Sequence, residues 1–220
     1  MSMTHDHHQH GEHESGDAGP GLNKMAASAT LHCLTGCAIG EIVGLLLGTA
    51  IGLSNGWTIA LSVALAFLFG YSLSTLPLVK AGLTIWAALS VVLAADTLSI
   101  ATMEVVDNAV MAIIPGAMNA GLVNVVFWIG MMIALTAAFF AAYPVNRYLL
   151  QRGKGHALTH HYHHGSHQPE GKRHLIPDLS SGMLAAVIAS FMIGGLIVAV
   201  ADELENDTAT PHVQSEMQHD

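Results

Sequence analysis

Charge is scarce in this sequence. Asp, Glu, Lys and Arg make up 10% of its 220 residues, where a soluble domain carries about 25%, so most of the chain lacks the polar surface that a water-facing fold requires. Basic residues are scarcer still. Seven Lys and Arg against sixteen Asp and Glu give a net charge of −9, which excludes a nucleic-acid footprint, since that needs a basic patch. There are two cysteines, both inside one apolar segment, and these cannot form a disulfide framework. No nucleophile–base signature and no nucleotide-binding loop is present, so hydrolytic chemistry has no support and no enzymatic activity is expected. The first 24 residues contain five histidines and several acids but no apolar core, so no secretory signal is expected there.

What the chain does have is long apolar runs. It is 52% hydrophobic with a mean hydropathy of +0.49. A hydrocarbon core about 30 Å thick takes about 20 apolar residues of helix to cross. Five stretches qualify: Leu31–Leu53, Trp57–Leu76, Ala81 to about Asp107, Leu122–Tyr143 and Leu179–Val200. Turn and loop signals separate them, namely "SNG" at 54–56, "LPLVKAG" around Pro77, "IPGAMNAG" around Pro115, and a polar loop over 144–178. The expected fold is all-α, a polytopic membrane helix bundle of five transmembrane helices. A disordered His-rich tail (1–27) precedes helices one to four (28–143). A His-rich basic cytoplasmic loop (144–178), helix five (179–200) and an acidic disordered tail (201–220) follow.

Orientation follows from the basic residues. With the N-terminus cytoplasmic, Lys24, Lys80, Arg147, Arg152, Lys154, Lys172 and Arg173 all fall inside, and the acids Asp202, Glu203, Glu205 and Asp207 fall outside. The expected topology is N-in, C-out.

The first span carries Gly36, Gly40, Gly44, Gly48 and Gly52 at every fourth position. In lipid such a stripe lets another backbone approach closely, so these glycines are read as a helix-packing seam, inside the bundle or between copies of the chain. A second stripe one turn apart, Cys33, Cys37 and Glu41, lies about 100° round from the first. Ionisable groups inside a span cost about 2.5–3.5 kcal/mol each. Glu41 sits near mid-depth of span one, and Asp96 near mid-depth of span three, which continues "ADTLSIATMEVVDNAVM" with Ser99, Met103, Glu104, Asp107 and Asn108. In order of depth, His32, Cys33, Cys37, Glu41, Asp96, Met103, Glu104 and Asp107 form a candidate metal-ligand ladder across the bilayer, provided that spans one and three touch.

Cβ atoms at i and i+4 on a helix are about 5–6 Å apart, beyond the roughly 3.5–4.5 Å of a disulfide, so Cys33 and Cys37 are disfavoured as a redox pair. Chelation fits the spacing better. Thiolate, imidazole and thioether suit Cu(I) or Zn(II), and a carboxylate adds capacity for zinc or a proton. A free cysteine is also commonly a small buried hydrophobe, and Glu104, Asp107 and Asn108 have a second reading as groups capping or snorkelling near the outer interface.

Two histidine-rich segments complete the inventory. His5, His7, His8, His10 and His13 crowd the N-terminal tail, and His156, His160, His161, His163, His164 and His167 crowd the 144–178 loop. Such tracts are compositional metal-capture signals, auxiliary to the ladder. Imidazole binds metal only when neutral, so capture is expected to weaken below about pH 6.5.

"HCLTGCAIGE", "ADTLSIATMEVVDNAVM" with "IPGAMNAG", and "FWIGMMIALTAAFFAAYPVNRYLLQRGKGHA" resemble the bacterial membrane family catalogued as domain of unknown function 4396, over about residues 28–200. That resemblance implies a multi-span bacterial membrane protein. It carries no activity, so no residue role transfers with it.

Three function classes stay open. The first is a transporter or trafficking accessory for a copper- or zinc-like ion in the bacterial inner membrane, its partners the lipid bilayer, the ion and a possible second copy of itself. The second is a redox or cofactor-bearing membrane protein, for which His32 is the one intramembrane histidine and so cannot supply both axial ligands of a haem. The third is a non-catalytic scaffold held by the glycine stripe.

Overall fold

The computed structural model describes residues 20–80, 82–152 and 180–216. Among these there are no strands; the chain folds as five long helices, α1 (Pro20–Ala50), α2 (Asn55–Lys80), α3 (Ile85–Ile113), α4 (Val125–Gln151) and α5 (Ser181–Glu216), with a short 3-10 turn at Ala117–Asn119. Each of the five is long and apolar enough to cross a membrane, and the protein is a multi-pass membrane protein.

The helices run alternately up and down. Gly52 takes φ +72° in the turn that reverses α1 into α2, and Gly116 takes φ +84° after α3, a left-handed backbone that glycine adopts without steric cost. Thr84 caps α3 by accepting the Ala87 N–H at 3.4 Å, and Asn124 caps α4 by accepting the Val126 N–H at 2.8 Å. Side-chain bonds tie the ends together. Asn55 donates to Asn119 across the end where α1 finishes (2.5 Å), and Ser181 donates to Ser28 near the end where α1 starts (2.7 Å). Lys24, Lys80, Arg147 and Arg152 therefore all lie toward one end of the bundle.

α1 is the most enclosed helix. In its apolar window 61% of residues are buried, against 17% for α2 and for α5. Much of this comes from α2, which packs along it antiparallel. A Cβ on Gly36, Gly40, Gly44 or Gly48 would fall 2.2–2.6 Å from Gly70, Ala66, Ser62 or Thr58 respectively, so the helices touch at four levels, backbone to backbone at the first three and against the Thr58 side chain at the fourth. The glycine stripe is thus filled from within the chain. Gly52 does not continue it: it lies beyond the helix, in the turn, and a Cβ there would meet nothing within 4 Å. α3 and α4 pack on each other and on α1, and α5 docks beside α4, where the Trp128 ring occupies the space a Cβ on Gly195 would need, 2.3 Å away. The other two tryptophans, Trp57 and Trp86, are 71% and 81% exposed in the first turns of α2 and α3, at opposite ends of the bundle, where indoles anchor membrane interfaces.

The helices outrun the expected spans. α1 begins at Pro20, not Leu31, so residues 20–27 are helix rather than tail; proline is favoured in a first turn because its missing N–H has no partner to lose there. α2 passes Pro77 and α4 passes Pro144, because a membrane helix tolerates one missing bond when neighbours hold it. The neighbour is visible for α4: Asn146 donates to buried Thr30 of α1 at 2.8 Å, and Thr30 donates to the Ala26 carbonyl at 2.7 Å. The acidic stretch expected as a disordered tail from 201 instead continues α5 to Glu216. The His-rich tail histidines and the loop histidines from 156 to 167 lie outside the described residues.

Candidate functional site

α1 and α3 run in the same direction and lie side by side. Their i+4 spacings bring the polar residues of one helix level with those of the other, in three rungs. In the first, Cys33 lies beside Asp96 and Ser99 of α3 and Ser74 of α2. In the second, the Cys37 thiol points at the Met103 thioether, sulfur to sulfur 4.0 Å, with Glu104 alongside. In the third, Glu41 faces Asp107, with Glu104 nearby. The rungs span eight residues of α1, about 12 Å at about 1.5 Å per residue.

All of these side chains are buried. Glu104 meets the Cys37 thiol, and Glu41 and Asp107 hydrogen-bond each other, which leaves one oxygen each of Glu41 and Asp107 without a further partner. A buried polar atom without a partner costs about 1–3 kcal/mol, and adjacent buried carboxylates repel, so the cluster needs a proton or a cation to be held together. The nearest lysine on α1, Lys24, is 17 residues from Glu41, about 25 Å along the axis. A cavity of about 350 Å³ opens from the third rung toward the end of the bundle where α1 finishes, lined by Glu41 and Asp107 and by turn residues on both sides.

Of the expected ladder, Cys33, Cys37, Glu41, Asp96, Met103, Glu104 and Asp107 share this seam. His32 turns Nδ1 to the Ser28 carbonyl of its own helix, 2.9 Å away. Among the described residues no three His, Cys, Asp or Glu side chains converge closely enough to hold a metal ion, so the seam is a series of pairs rather than one coordination centre. Ser74 and Ser62 went unnoticed in the sequence, yet a signal for them was present. Thr58, Ser62, Ala66, Gly70 and Ser74 repeat every fourth residue, a small-residue stripe matching that of α1, and its last member sits against Cys33.

A family model described as domain of unknown function, DUF4396, matches residues 22–155, which takes in α1 to α4 and leaves α5 outside. No curated protein and no solved structure matches the chain.

Proposed function

The chain belongs to the DUF4396 family, and from the seam between α1 and α3 we propose that it handles a transition-metal ion within the membrane, as a transporter or trafficking accessory, with Cu(I) the preferred cargo over Zn(II). The observation that carries this reading is the Cys37–Met103 pair: two soft sulfur donors from different helices, both buried, 4.0 Å apart. Thiolate and thioether select Cu(I). Metal–thiolate bonds of about 2.3 Å would put two sulfurs on one ion about 4.6 Å apart in a line, and closer when bent. Such a site needs two donors, so it does not depend on a cluster of three. Cys33 lies one turn away as the next acceptor, with Asp96 beside it.

The membrane is read as the bacterial inner membrane with the N-terminus inside, on the strength of the basic residues gathered at one end of the bundle. On that topology the histidine-rich segments face the cytoplasm and deliver the ion to the thiols.

The test is Cu(I) binding by the full chain in detergent, titrated against a competing chelator. Cys37→Ser and Met103→Leu are each expected to weaken the tightest equivalent at least tenfold, while the weak histidine sites persist. Wild-type tight binding in both folded variants would remove the proposal.

A further inference from the structure

We propose that the cavity at the end of the bundle where α1 finishes is a second, separate cation site, taking a hard divalent ion of the Ca²⁺ or Mg²⁺ kind between Glu41 and Asp107. Acidic residues near one another do not make a site, but two further observations point to a ligand here. Glu41 and Asp107 are 8% and 4% exposed; they hydrogen-bond each other, and Glu41 Oε2 and Asp107 Oδ1 have no further partner. Both side chains line a cavity of about 350 Å³, room for about ten waters at roughly 30 Å³ each.

The rest of the lining is mixed, with apolar side chains, Met111, Met118 and Met131 among them, beside several oxygen donors. Asn55 commits its amide nitrogen to Asn119, and Asn108 commits its own to the Glu104 carbonyl at 2.9 Å, which leaves an amide oxygen on each as an acceptor. Thr58 and Ser62 add hydroxyls. The thiols of Cys33 and Cys37 lie on the other two rungs, outside this lining, so the sulfurs that border it are the neutral thioethers of Met111, Met118 and Met131, which offer a hard cation nothing. Carboxylate, carbonyl and hydroxyl oxygens select hard cations over soft ones. Mg²⁺ in particular binds through one or two carboxylates and keeps several waters, so two acids in a roomy polar cavity suffice where a dry cage of three does not form. Two facing carboxylates also match a divalent charge, and the bound ion would take the place of the proton they share.

The inference stands apart from the copper reading, and one experiment separates them. The full chain in lipid nanodiscs is titrated with radiolabelled Ca²⁺, with Mg²⁺ as competitor. Wild type is expected to take up Ca²⁺ saturably in the micromolar to millimolar range. Glu41→Gln and Asp107→Asn, checked for helicity and elution volume, are expected to weaken it at least tenfold, and Ser62→Ala a few-fold. Cys37→Ser is expected to lose tight Cu(I) and keep Ca²⁺. No saturable Ca²⁺ or Mg²⁺ uptake by folded wild type overturns the proposal on its own, whatever the variants do. Equal affinity in folded Glu41→Gln and Asp107→Asn also overturns it.

Discussion

α1 has two working faces, and they are built on opposite terms. Toward α2 it presents glycines, and the helices meet with no room for a side chain at four successive levels. Toward α3 it presents thiols and a carboxyl, and the facing helix answers with acids, a hydroxyl and a thioether. The first seam is finished: shape alone satisfies it, because in lipid close packing replaces the hydrophobic drive. The second is unfinished, since its facing carboxyls stay together only with a proton or a cation between them. A membrane helix that carries both can be held rigidly by one side while the other does chemistry.

The sharpest way to break this contrast is to put bulk into the finished seam. Gly40→Leu sets a side chain where the Ala66 backbone lies 2.2–2.3 Å from the first added carbon. The expected cost exceeds the roughly 1–3 kcal/mol of ordinary overpacking, because backbone rather than a side chain must move. The folded, monodisperse fraction in detergent should fall to a small remnant. Wild-type melting behaviour in that variant would mean that α1 and α2 are not in contact.

The unfinished seam should respond with the opposite sign. Glu104→Met replaces a buried carboxyl that meets only the weak Cys37 thiol donor with an apolar side chain of similar length, a kind of change that is neutral or stabilising. With no added metal, the thermal midpoint in detergent should rise, corresponding to about 1 kcal/mol. A clear drop would show that Glu104 is held by structural bonds and is not waiting for a partner.

The smallest effect marks where the first seam ends. Gly52→Ala places a Cβ in open space but at φ +72°, so the expected loss is confined to backbone strain, about 1 kcal/mol. A loss as large as that of Gly40→Leu would return Gly52 to the packing stripe.

Much of the fold was legible because the bilayer imposes a length on every span: the five apolar runs and the turns between them follow from hydropathy and a few glycines. The helix ends were not, because neighbours set them. Nothing local to "YPVNRYLL" says that α4 survives its proline; the Asn146–Thr30 bond, 116 residues apart in sequence, does. The pairing of α1 with α2 could have been read from two stripes with the same four-residue period. The pairing of α1 with α3 could not, since acids and thiols carry no register of their own until two helices are placed side by side. His32 was drawn into the ladder by its neighbours in sequence; with Nδ1 bonded to the Ser28 carbonyl, its ring is fixed on its own helix.

The four-level zipper has a mechanical corollary. For α2 to slide along α1, Thr58, Ser62, Ala66 and Gly70 must all climb out of their notches together, and the next place they fit is a whole helical turn away. The two helices therefore behave as a single stiff spar. Any breathing of the bundle has to come from α3 and α4 rocking against that spar, so a cross-link across the first seam would remove little motion, while one across the second would remove most of it.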